Sequence, residues 1–204
     1  MKLKINKNDL SQTIANNSKI KKIIKEQVYS LVEEYVEKNK QNMLNEFENH
    51  PVTKEIDAGP EASNISNTLD GQGNLFSYIG FNENAKPTEI IREILNDVNI
   101  KNDPTVSSVG KNLKVSFPIS GPTLNEIESA TPMPFEGGKS WVRGIEKGIS
   151  GFSHYIFRKF IKNSRSGTAI QSESEIRSGF FKPTSYLSYI LRRFNSKING
   201  KFNI

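Results

Sequence analysis

Cysteine is absent from the 204 residues, which also hold only two histidines and one tryptophan. Without thiols the chain can carry no disulfide, no thiolate zinc site, no iron–sulfur cluster and no thiol redox chemistry. The histidines, His50 and His154, are distant in sequence and neither has a carboxylate at ligand spacing, so neither a metal nor a cofactor is expected. Long hydrophobic runs are missing too. The longest apolar stretches are a few residues, against the roughly twenty that span a bilayer. The basic start, Met1 to Lys7, runs into Asn8-Asp9-Leu10-Ser11-Gln12 and not into an apolar segment, so no signal peptide is expected. A soluble protein without a membrane partner is the expectation.

The length suits one domain of ordinary size, burying about 70% of the surface that its unfolded chain exposes. Hydrophobic residues make up 35% and charged residues 25%, lean for a compact globule, so partner chains are expected to stabilise part of the fold. Charge is divided along the chain: residues 1–49 carry a net +2, residues 50–138 a net −6 and residues 139–204 a net +10. A basic last third beside an acidic middle serves internal complementarity, attraction between copies or a phosphate-binding face, and composition leaves all three open.

Over 18–49 the apolar residues, among them Ile20, Ile24, Val28, Leu31, Tyr35, Val36, Met43 and Phe47, recur at three- and four-residue spacing. This predicts one long amphipathic helix, capped by Ser18 and ended before Pro51. A loop with a short strand near 52–56 should follow, then a strand over 75–81. Pro87 opens a short second helix over 88–95. A turn region over 102–110 leads to an alternating strand over 113–119, whose Pro118 restricts it to an edge or exit. Residues 152–161 read as another strand, with helix as the alternative, and 163–182 as a long polar loop. Pro183 then opens a closing helix with Leu187, Ile190, Leu191, Phe194 and Ile198 on one face. The order predicts an α+β domain: a long amino-terminal amphipathic helix packed on a small, mostly antiparallel sheet, with a carboxy-terminal helix. Its expected parts are an arm over 1–17, a core over 18–161, and an extended loop with the last helix over 162–204.

Few residues are arranged for chemistry. Gly138-Lys139-Ser140 ends like a phosphate-binding loop, but Met133 stands where the first glycine belongs, and Pro132 and Pro134 prevent the preceding buried strand. Gly71-Gln72-Gly73 lacks a third glycine, and Ser108-Val109-Gly110-Lys111 has no Lys-Thr-Gly partner. No carboxylate pair sits in surroundings that would separate the two pKa values, and Glu146 is the best single candidate acid, against a structural ion pair. The densest feature is 134–152, where glycines punctuate an aromatic run containing Trp141 and Phe152. Such a run makes an assembly surface or a glycine-rich turn beside an ordinary core. Arg158, Lys159, Lys162 and Arg165, interleaved with Phe157 and Phe160, suit phosphate contact and stacking, or a lysine-protected edge.

Several segments taken together resemble the neck or tail-completion (head–tail connector) proteins of tailed bacteriophages. They are the long first helix, the exit His50-Pro51-Val52-Thr53-Lys54-Glu55-Ile56 with Gly59-Pro60, the run Gly71 to Phe81, the turn Pro134-Phe135, and Trp141…Gly144-Ile145-Glu146…Gly148. The resemblance covers about residues 18–161. It implies a structural virion protein, made in the host cytoplasm, that forms a closed homo-oligomeric ring in the neck and performs no catalysis. Other neck, portal or tail proteins and non-specific DNA contact are the implied partners. Trp141, Arg143, Glu146, Phe152, Arg158, Lys159, Lys162 and Arg165 are the expected partner-binding residues. The alternative is a basic nucleic-acid-binding protein.

Overall fold

The structure, a computed structural model, describes residues 17–71, 73–101, 103–109, 112–134, 138–148 and 181–199. It is α+β: among the described residues there are seven α-helices and two small antiparallel sheets. Packing divides the chain into two compact units, one formed by residues up to Lys40 with Val98–Gly121, the other by Gln41–Asp97 with residues from Pro122 onward.

Helix α1, Ser18–Asn49, has 32 residues and is the long helix read from the apolar spacing. At 1.5 Å per residue it is about 48 Å long. In the first unit its inward stripe is Tyr29, Val32, Val36 and Asn39, and Tyr29 meets Phe117 with ring centroids 5.9 Å apart. Beside it run two ribbons. Strands β1 (Asn99–Ile100) and β4 (Ile119–Ser120) pair with Ile100 opposite Ile119, while β2 (Thr105–Val109) and β3 (Asn112–Ser116) pair with Val106 opposite Val115. The turn expected over 102–110 is thus largely strand β2, whose β-branched Thr105, Val106 and Val109 favour the pleated ribbon. Strand β3 stops at Ser116, ahead of Pro118, whose carbonyl accepts the Lys101 N–H at 2.9 Å. Of the described side chains in this unit only Val36 and Asn39 are buried.

The second unit holds the apolar core. Helix α2, Pro51–Asp57, replaces the strand expected near 52–56: Pro51 occupies the first turn, where a missing N–H costs nothing, and His50 is its N-cap. Residues 75–81 also depart from the expected strand. Leu75–Ile79 is helix α3, because the Asn74 side chain accepts the Ser77 N–H at 2.8 Å and Gly80, at φ 84°, closes the carboxy end in the left-handed region. Leu75, Phe76 and Ile79 then share one buried face. Helix α4, Glu89–Asn96, begins near the expected place after Pro87. Helix α5, Leu124–Ala130, was not foreseen, although Thr123-Leu124-Asn125-Glu126 has the spacing of a capping box and Glu126 N–H donates to Thr123 Oγ1 at 3.2 Å. Helix α6 is Trp141–Lys147 and α7 is Leu187–Ile198. Helix α7 starts four residues past Pro183, because the Lys182 and Thr184 N–H groups first bond the carbonyls of Thr68 and Ile145.

Buried Glu55 ties the segment between α2 and α3. Its Oε1 accepts Asn64 Nδ2 at 2.8 Å and Leu75 N–H at 2.7 Å, and its Oε2 accepts Ser66 N–H at 2.8 Å. Asn64 Oδ1 in turn accepts the N–H groups of Leu69 and Gly71. One carboxylate therefore satisfies backbone donors in a loop too poor in apolar residues to hold itself.

Candidate assembly surface

In the glycine–aromatic run that suggests a contact surface, the described segment around Trp141 folds inward. Ser140 caps α6 by accepting the Arg143 N–H at 3.2 Å, and Trp141, Val142, Gly144 and Ile145 are buried. Trp141 is 2% exposed and meets Phe81 edge-on at 5.6 Å, so its ring belongs to the subunit core and not to an exposed contact patch. Glu146, the candidate acid, caps the next helix: its Oε1 accepts the Ser188 N–H at 2.7 Å and the Tyr186 N–H at 3.3 Å. That places a carboxylate at the positive end of α7, where the helix dipole favours it.

Arg143 remains on the surface. It borders an open cleft of about 710 Å³ walled by Asn125, Glu128 and Ser129 from α5 and by Lys139, Ser140 and Arg143 at the start of α6. The two walls are joined by hydrogen bonds: Thr131 Oγ1 donates to Ile127 O at 2.7 Å and shares a 2.9 Å bond with Ser140 Oγ, while Trp141 N–H donates to Thr131 O at 3.0 Å. The Ser140 hydroxyl is thereby engaged within the subunit. Gly138 makes the turn into α6 at φ 86°. The cleft presents the cations Lys139 and Arg143 opposite Glu128, a polar recess suited to an acidic or amide-bearing protein surface. Of its residues the sequence marks Arg143 as a contact, while Gly138, Lys139 and Ser140 read there as the end of an incomplete phosphate loop; the capping box over 123–126 is the signal that places α5 beside them. Phe152, Arg158, Lys159, Lys162 and Arg165 lie outside the described residues, as does most of the polar loop over 163–182.

Elsewhere in this unit the ionisable side chains brace helices. Arg92 Nε donates to Glu48 Oε1 at 2.7 Å and its NH2 to Glu48 Oε2 at 2.9 Å, it also pairs with Asp57, and it lies over the Phe47 ring at 5.6 Å. Fully buried Tyr186 shares a 2.7 Å hydrogen bond with Thr53, and burial raises its phenol above the ordinary range. Its ring centroid is 4.7 Å from that of His50.

His50 makes stability pH-dependent. Its Nδ1 accepts the Val52 N–H at 3.3 Å, which a proton on that nitrogen abolishes, and burial lowers its pKa from the ordinary 6.5 against smaller opposing effects of the Ser185 backbone and Glu146. A histidine whose folded pKa is depressed contributes stability that is complete above 6.5 and lost as pH falls through the folded value. The melting temperature should therefore drop between pH 7 and 5. His50→Asn, which keeps a capping oxygen but does not titrate, should flatten that slope, and equal slopes in the two proteins would remove His50 as its source.

Among the described residues no cluster of three His, Asp or Glu is placed to hold a metal, and no helix is long and apolar enough to cross a membrane. Comparison with protein-family models, curated proteins and solved structures returns no match to this chain.

Proposed function

We propose that this chain is a structural virion subunit that forms a ring in the neck of a tailed phage, joining head to tail without catalysis. The observation that supports it is the first unit: the larger part of a long helix and two two-stranded ribbons, with Val36 and Asn39 as its only buried described residues. Isolated two-stranded ribbons are marginal in water, and open ribbon edges invite pairing. A segment built this way is completed by neighbouring chains. The cleft at Arg143 supplies a second, different surface on the other unit, as heterologous ring contacts require.

The charge division gives this reading a kinetic signature. Attraction between the acidic middle of one copy and the basic last third of the next steers encounter more than it holds the finished contact. Raising salt from 0.05 to 0.5 M, roughly a threefold shortening of the Debye length, should slow assembly followed by light scattering while leaving preformed particles intact. An assembly rate independent of salt would contradict the charge-steered contact.

One observation favours the nucleic-acid reading. On α7 exposed Tyr189 lies under two guanidinium groups, Arg192 at 5.8 Å and Arg193 at 5.6 Å. A basic face with an aromatic ring suits a phosphate backbone and a stacked base. Arg193 also pairs with Glu46 at 3.3 Å, so that face already serves the subunit. Binding of single-stranded DNA that weakens steeply with salt and is lost in Tyr189→Ala, without any ring, would decide for this second reading.

A further inference from the structure

The part of α1 in the first unit, up to Lys40, carries two stripes. One turns inward through Tyr29, Val32, Val36 and Asn39; the other, Lys19, Ile23, Gln27, Leu31 and Glu34, stands in solvent. Ile23 is 54% and Leu31 42% exposed. Their spacing of four, four, four and three residues keeps all five on neighbouring turns. The outer stripe is apolar about a polar midpoint, with a cation at its amino end and an anion at its carboxy end. No ion pair engages Lys19 or Glu34 among the described residues. Lys19 also sits in a first turn that holds no acidic residue, where the helix dipole disfavours a cation.

We propose that two copies of this chain pair through this outer stripe, antiparallel, about a two-fold axis at Gln27. Antiparallel pairing sets Ile23 against Leu31 of the partner subunit and Lys19 against Glu34 of the partner subunit. Symmetry repeats both contacts and brings the two Gln27 amides together at the axis. Sequence positions decide the direction. A parallel pair opposes lysine to lysine and glutamate to glutamate, like-charge contacts that count against it. They also decide the occupant, since the surface required is the order acid, apolar, amide, apolar, base, and that is the same stripe read backwards. The stripe is about 22 Å long, which makes a small interface and a reversible pair. The contact is isologous, so it neither is the heterologous ring contact nor depends on it.

The natural absence of cysteine makes the test direct. Gln27→Cys in the full chain, oxidised with a mild disulfide catalyst, should give a covalent dimer on a denaturing gel. Ile23→Cys alone should link poorly, because eight residues separate it from its own copy across the axis, about 12 Å along the helices and beyond disulfide reach. Mixed with Leu31→Cys it should form the heterodimer. In the Gln27→Cys background Glu34→Lys should lower the yield, and adding Lys19→Glu to the same chain should restore it, a recovery that damaged folding could not produce. No dimer from Gln27→Cys, self-linking of Ile23→Cys at the same rate, or no recovery in the double swap each overturns the proposal. None of these results bears on whether rings form through other surfaces.

Discussion

Trp141→Ala is expected to destabilise the second unit by about 3–5 kcal/mol, the range for removing a buried aromatic side chain from a core that collapses only partly around the void. Trp141 is 2% exposed, starts α6 and lies edge-on to Phe81. Its loss therefore opens a cavity between α6 and the segment after α3. Chemical denaturation should show a lower midpoint with the slope unchanged. The consequence reaches the cleft, since Arg143 follows Trp141 on the same short helix. A loss below 1 kcal/mol would mean that the ring is not packed as described.

Glu55→Ala should cost a comparable amount. It removes the acceptor for the Leu75 and Ser66 N–H groups and for the Asn64 amide. The Asn64 amide keeps Ser66 Oγ and Thr68 Oγ1 as acceptors, so two backbone donors are left unpaired, each costing about 1–3 kcal/mol, and a loss of about 2–6 kcal/mol is expected. Glu55→Gln keeps one oxygen and turns an NH2 toward a donor, so it should fall between wild type and alanine. The loop from α2 to α3 reports the local effect: a glutamate-specific protease should cut after Glu61 faster in Glu55→Ala than in wild type, at a temperature where both are folded. Equal cleavage rates would show that the loop is held by other groups.

Legibility in the sequence followed the strength of the local signal. Helix α1 was readable because many apolar residues share one period and Pro51 fixes its end; α4, β3 and α7 carry similar patterns over shorter spans. The segments 52–56 and 75–81 resist reading because five to seven residues, with Val52 and Ile56 or Leu75, Phe76, Tyr78, Ile79 and Phe81 as their apolar positions, fit both periods. What decides them are single side chains: His50 and Asn74 as caps, Gly80 as a stop, and Glu55 reaching Leu75 from 20 positions away. No local pattern announces that last bond. In α6 the glycines point away from helix, yet Gly144 is buried and helical. The candidate surface was legible only at Arg143, because its opposite wall is the helix that went unread.

The proposed function requires this subunit to close into a ring through two different surfaces. The most direct measurement is native mass spectrometry of the purified full chain across a concentration series, combined with electron microscopy of the largest species. One dominant closed oligomer, a single ring or two rings joined through the α1 stripe, should appear above a threshold concentration and be lost when Arg143→Glu reverses the charge in the cleft while the monomer stays folded. A monomer, or a dimer and nothing larger, at every concentration and salt would contradict it.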